Sequence, residues 1–363
     1  MTRAIASINL MALKHNFSLI KKVAPSQFIW AMIKSNGYGH GLLRVAKILS
    51  EADAFGVACM EEAMTLREAG IKTPIVVMRG FSNERELLEF VHYHLSAVIH
   101  QPDQVRLLEI HHLVSPLSVW LKIDSGMHRL GFSIEEISSV YQRLQKSISV
   151  WKPIGLMTHL ADADNIDHSF TESQINQFFT VTENMEGPRS IVNSAGLLSY
   201  PNALVDWVRP GILLYGISPF SSENGMERNL RPVMTLSATI LAIKQCRKDD
   251  IVGYGCAWRC PEAMPIGIVE IGYGDGYPRH APNGTPTLLN EKVCPLIGRV
   301  SMDMIAIDLR SQPNSQIGDK VILWGDELPV ERIAEKAGTI GYELLCNITQ
   351  RVRFIKVEDE SND

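Results

Sequence analysis

Five apolar runs of this chain end on residues equipped for chemistry. FIWAMI runs into Lys34, and Tyr38 follows four residues later inside the glycine-rich KSNGYGHG. LSVWL runs into Lys122 and Asp124, followed by SGMHRLGF with Arg129. Two more runs end in Thr158–His159 and Asn193–Ser194, and another ends in Arg209 before Pro210 and Gly211. One polar residue after a strand is ordinary loop material. Lys, Arg, His, Ser and Arg recurring at five such ends form a cationic, donor-rich set suited to an anionic ligand. A lysine crowded by cations has its ammonium form disfavoured, and then serves as a neutral nucleophile or as a base. The VNSAG and RPGI turns offer hydroxyl and backbone N–H groups to a phosphate. Lysine, phosphate cradle and arginine partner together point to pyridoxal 5′-phosphate (PLP), with aldolase-type Schiff-base chemistry as the alternative.

Such residues work together only if a scaffold gathers them. From residue 28 to about 210, short apolar runs alternate with segments of helical period: FIWAMIK, AFGVAC, PIVVMRG, SAVIH, LSVWLKID, WKPIGLMTH, RSIVN and VDWVRP. Successive apolar residues without alternation are the mark of buried parallel strands. Between them, EEAMTLREAG puts Glu61 and Glu62 in a first turn and stops at Gly70. SIEE from Ser133 and TESQ from Thr171 read as capping boxes that open helices. Eight β-α alternations predict an α/β fold, a (β/α)8 TIM barrel, with a doubly wound open sheet as runner-up. Its active residues belong at the C-terminal ends of the strands.

After about residue 230 the texture changes to strands joined by short turns. One helix interrupts them near VERIAEKAG, closed by Gly338. This predicts a PLP-binding barrel over residues 1–230 and a mostly antiparallel β domain over 231–363. The first few residues are expected to pair with the β domain.

Composition narrows the class. The chain has 363 residues, 45% hydrophobic and 21% charged, with a formal net charge of −5. That balance is globular and offers no basic surface for nucleic acid or membrane. No stretch approaches the roughly 20 apolar residues of a membrane span, and the N-terminus lacks a secretory core. Six scattered cysteines, with one C-x-x-x-C at Cys256 and Cys260, make a weak case for zinc. A cytoplasmic protein with reduced thiols and no metal is expected.

Eight motifs occur in order: AMIKSNGYGHG, LKIDSGMHRLGF, MTHLADAD, VNSAG, VRPGILLYG, VGYG, IGYGDGYPR and GRVSMDM. Together they resemble the alanine racemase family, PLP enzymes with a barrel and a C-terminal β domain, and the likeness covers essentially the whole chain. The resemblance implies that Lys34 holds PLP and is the base on one face of the substrate Cα. Tyr254 of the partner subunit is then the opposite base. Its phenol, ordinarily near pKa 10, needs nearby positive charge to act near neutral pH. Arg209 faces the cofactor's ring nitrogen, and His159 hydrogen-bonds Arg209 and carries positive character toward that tyrosine. Arg129 meets the cofactor's phenolic oxygen and the substrate carboxylate, and Lys122 matches a position carbamylated in family members. Tyr38, Ser194, Gly211 and Ile212 match phosphate-binding positions. Met302 and Asp303 match substrate-lining positions supplied by the partner, and Tyr273 and Arg279 match the entrance.

Two positions depart from the family pattern. Gln350 replaces a tyrosine often found before the final RV, and RVRF lacks the usual proline. The implied protein is a homodimer that interconverts L-alanine and D-alanine, supplying D-alanine for peptidoglycan. A broad-specificity amino-acid racemase is the alternative within the same chemistry. A non-catalytic PLP carrier is the alternative outside it, although such carriers lack a β domain.

Overall fold

A computed structural model of the chain describes residues 4–165 and 169–357. It divides into two compact units. One comprises residues 17–37 and 41–214; the other comprises the stretch through Asn16, Tyr38–His40 and the chain from Tyr215 onward.

Eight parallel strands close the first unit into a barrel: Phe28–Met32, Ala54–Val57, Ile75–Val77, Ser96–Ile99, Val119–Lys122, Gly155–Met157, Arg189–Ser190 and Trp207–Val208. Phe28 and Ile29 pair back onto Trp207 and Val208 to shut the ring. Several strands are buried at every position, as expected where a parallel sheet is covered on both faces. Inside, Trp30 lies 5.2 Å from Trp120, which meets Trp207 edge-on at 5.9 Å. A Cβ on Gly155 would lie 2.4 Å from the Trp120 ring, so only glycine fits beside it.

Helices Leu42–Ile48, Met60–Glu68, Glu84–His92, Pro102–Ile110, Ile134–Lys146, Ser169–Thr182 and Ser194–Ser199 each follow a strand; the eighth strand leads into the 3-10 turn Ile212–Tyr215. Ser133 and Glu136 form the capping box read from SIEE. The box read at Thr171 is not one. The helix is already running at Ser169, Thr171 is fully buried, and Gln174 reaches out of the helix instead to accept from Ala161 N–H at 2.9 Å. Lys34 also does not end its strand, which stops at Met32; the lysine opens a left-handed turn.

The second unit is built around the 13-residue strand Met234–Cys246. Ile5–Asn9 and Lys320–Trp324 pair antiparallel with it, and after a bulge between Ile240 and Ala242 it pairs with Met264–Val269. Ile305–Asp308, Leu296–Ile297, Leu288–Leu289 and Lys292–Val293 extend the nine-stranded sheet. One pairing is parallel, between Ile5–Asn9 and Arg353–Val357. A separate hairpin joins Ile251–Val252 to Trp258–Arg259. Gly338, at φ 68°, closes helix Val330–Ala337 as expected, but a second helix, Gly341–Cys346, follows. No side chain caps its start, so the sequence carries no signal for it. Among the described residues, no helix is long and apolar enough to cross a membrane.

Candidate active site

The C-terminal ends of the barrel strands gather four cationic side chains around His159. Lys122 ends the fifth strand and is only 6% exposed. Burial, then Arg129, Arg209 and Lys34, push its ammonium down to about 8, while Asp124 opposes them. Burial and the same four cations hold the His159 imidazole well below its ordinary value, so it stays neutral near pH 7. Burial and the surrounding cations thus favour the neutral form of the His159 ring.

Arg209 is buried, and desolvation draws it to about 9. Its terminal nitrogens donate to the Thr158 carbonyl at 2.5 Å, the Ile191 carbonyl at 2.9 Å and Ser190 Oγ, and the guanidinium lies 5.9 Å above the Trp30 ring. The barrel thus holds Arg209 through strand-end oxygens. Its charge adds to the burial that lowers the proton affinity of the His159 imidazole.

Neighbouring residues fix the loops that carry these groups. Asp124 Oδ1 accepts from Gly126 N–H at 3.1 Å and His128 N–H at 3.0 Å, which shapes the segment leading to the exposed Arg129. Ser125 and Thr158 share a buried hydroxyl contact at 2.8 Å, joining the fifth and sixth strand ends. Gln174 holds the stretch after His159 through Ala161. At the seventh strand end, Asn193 caps helix Ser194–Ser199 by accepting from Gly196 N–H at 2.9 Å. Gly211 N–H donates to Ser194 Oγ at 2.9 Å, which brings together two of the four expected phosphate contacts; Ile212 follows Gly211 directly. Lys34, half-buried, sits at the head of a turn in which Ser35, Asn36 and Gly37 all have positive φ. Sequence reasoning missed two supports: Gln174, and Glu62, which accepts from Asn36 N–H at 3.0 Å. Glu62 carried a signal only as an acidic first-turn residue.

The remaining candidates belong to the second unit. Tyr38 is buried, stacks on Tyr215 at 4.7 Å and lies 6.2 Å from Tyr342, and burial raises its phenol well above the ordinary value. Tyr254 is 69% exposed and opens a 3-10 turn between Gly253 and Gly255, both at positive φ. Two loops are laced together where Tyr273 N–H donates to the Ser301 carbonyl at 3.0 Å and Gly274 N–H to the Met302 carbonyl at 2.8 Å. Arg351 pairs with Asp275 at 3.2 Å and with Asp303, tying both loops to the chain's last strand region. Tyr273, Met302, Arg279 and Gln350 are all exposed.

A closed parallel barrel with a cationic mouth, carried with an antiparallel β domain, defines a two-domain barrel enzyme. Residues 8–219 match the family model "Alanine racemase, N-terminal domain", and residues 233–356 match "Alanine racemase, C-terminal domain". The alanine racemase of Coxiella burnetii (strain CbuG_Q212) is 69% identical over 99% of this chain and 100% of its own. That of Shewanella woodyi is 47% identical over 96% of this chain and 97% of its own. The crystal structure of biosynthetic alanine racemase from Pseudomonas aeruginosa superposes with a TM-score of 0.96 at 39% identity, covering 99% of this chain and 100% of that one. The chain belongs to the alanine racemase family, and its enzyme class is that of an isomerase.

Proposed function

We propose that this enzyme interconverts L-alanine and D-alanine with PLP as cofactor, in the cytoplasm, as a homodimer that supplies D-alanine for peptidoglycan. The family match across both domains carries the reading, because it puts the lysine-bearing barrel and the tyrosine-bearing domain on one chain. The donor set at the barrel mouth fits PLP: an amine for the aldehyde, cations for an anionic ring, and Ser194 with Gly211 at a strand end for a phosphate. Once bound, PLP supplies an electron sink that makes the substrate's α-proton removable.

The chain's own residues then handle the protons and the charges. Lys34 Nζ exchanges the α-proton on one face of Cα. Tyr254 of the partner subunit does so through its hydroxyl on the other, and its exposure leaves it available to a second copy. Two bases on opposite faces are what inversion requires. Arg129 pairs with the substrate carboxylate. Arg209, a donor with no acceptor, faces the cofactor's ring nitrogen without surrendering its proton. Tyr38, Ser194, Gly211 and Ile212 hold the phosphate. Met302 and Asp303 of the partner subunit line the substrate end, and Tyr273 and Arg279 the entrance. Lys122, with a neutral fraction above the ordinary for lysine, attacks CO2 and loses a proton to solvent; the resulting carbamate carboxylate orients Arg129. Density or mass showing an unmodified Lys122 in active enzyme would remove that step.

The β domain favours this reading over a PLP carrier. Breadth of substrate is a finer matter, since one methylene shifts discrimination by only about 1–3 kcal/mol. A chiral assay with L-alanine, L-serine and L-lysine, with and without PLP, tests the function. Conversion of alanine alone, dependent on PLP and lost in Lys34→Ala, is expected. Comparable conversion of all three supports the broad-specificity enzyme, and none with PLP present sinks the proposal.

A further inference from the structure

The turn that carries Lys34 runs against the usual handedness of L-residues. Ser35, Asn36 and Tyr38 lie at φ 56°, 55° and 51°, with Gly37 at 63°. Glycine enters that region freely and asparagine more readily than most, whereas Ser35 and Tyr38 are opposed by contact between Cβ and the carbonyl. Such a conformation persists when its surroundings over-determine it.

Local bonds do part of this. Gly37 N–H donates to the Ile33 carbonyl at 2.8 Å, Gly41 N–H to the Asn36 carbonyl at 2.8 Å, and Leu42 N–H to Asn36 Oδ1 at 2.8 Å. One clamp comes from elsewhere in the fold. Glu62, in the first turn of helix Met60–Glu68, accepts from Asn36 N–H through Oε1 at 3.0 Å. Its Oε2 accepts from Ala58 N–H at 2.9 Å. A single carboxylate thus bridges the loop after the second strand to the turn after the first, through charge-assisted bonds of the stronger kind.

We propose that Glu62 is a positioning residue for Lys34, its carboxylate locking the left-handed turn and so fixing where the lysine amine points. The link to the reaction rests on reading Lys34 as the PLP lysine; the clamp itself does not. Without the carboxylate, Asn36 N–H loses its acceptor within the fold, and Ser35 and Asn36 are released toward the right-handed region. The peptide groups that orient Lys34 turn with them. Ser35 and Asn36 are solvent-exposed, so the fold survives while the lysine's aim degrades.

The test compares full-length Glu62→Ala, Glu62→Gln and, as a neighbouring control, Glu61→Ala, with two readouts. The first is hydrogen exchange at the Asn36 amide before PLP is added. The second is the apparent Kd for PLP, with borohydride trapping and peptide mapping to identify the lysine modified. In Glu62→Ala, Asn36 exchange and the PLP Kd should both rise about tenfold, the scale of one hydrogen bond to a charged group. Glu62→Gln should fall between Glu62→Ala and wild type in both, because its single amide oxygen can accept from Asn36 or from Ala58 but not from both at once, and Glu61→Ala should change neither. Unchanged exchange in Glu62→Ala overturns the clamp; faster exchange with unchanged PLP affinity overturns the positioning role. Trapping on a lysine other than Lys34 in the wild-type chain defeats the reading of Lys34, while the exchange result still judges the clamp. Should Glu62→Ala fail to fold, Glu62→Asp, one methylene short of Asn36, carries the same comparison.

Discussion

Lys122 and His159 answer the same cations in ways that can be measured separately. The Lys122 ammonium falls from 10.5 to about 8 on folding, so between those values the unfolded chain binds the extra proton. Stability therefore rises with pH across that window, and below about pH 8 the unmodified lysine destabilises the fold. In CO2-free buffer at pH 7, Lys122→Met is expected to be more stable than wild type by at most about 3 kcal/mol. The difference should shrink toward pH 10 in denaturant titrations; a difference independent of pH would contradict the assignment. His159 is depressed in the same sense, so its contribution to stability is lost as pH falls below the ordinary histidine value, where the unfolded chain takes up a proton first. Its ring Cε1–H resonance should stay fixed from about pH 8 down to about pH 6, where an ordinary histidine titrates. Arg209 makes a chemical prediction: a guanidinium that keeps its proton would leave the cofactor's ring nitrogen unprotonated and the electron sink weak, so Arg209→Glu should raise transamination side products, and wild-type levels would refute that proposed role.

The barrel strands were legible because a parallel strand covered on both faces needs no alternation, and runs such as AFGV and VWLK show none. Ser133 and Glu136 were legible because a capping box is a local pattern, and Ser133→Ala should cost about 1 kcal/mol in thermal or denaturant unfolding. TESQ shows how the same pattern misleads: Thr171 matches it in sequence, yet sits buried inside a helix that began earlier. Helix Gly341–Cys346 went unread because nothing caps it. The left-handed turn after Lys34 was hidden for a different reason, since Ser35 and Asn36 are not glycines and their φ depends on contacts such as Glu62. Gly39 is the complementary case. It sits at φ 82°, and a Cβ there would lie 2.1 Å from the Leu345 carbonyl. Gly39→Ala is expected to destabilise by about 2–4 kcal/mol, read as a lowered melting temperature, and a neutral result would contradict that close approach.

For the molecule as a whole, the sequence told more about which residues do chemistry than about what holds them. Strand-end lysines, arginines and a histidine stand out as types, whereas Gln174 and Glu62 work through backbone N–H groups that no motif records. The lowered proton affinity of His159 was equally unreadable, because it arises from burial and from cations elsewhere in the barrel. The central claim is that one site takes Lys34 from one chain and Tyr254 from the other. Co-expression of Lys34→Ala with Tyr254→Phe chains, each inactive alone, tests it most directly by chiral assay of the purified mixture. Random pairing in a twofold dimer leaves one intact site in each mixed dimer, so about a quarter of wild-type racemisation is expected. Activity no greater than that of the two variants alone would contradict a site shared between chains.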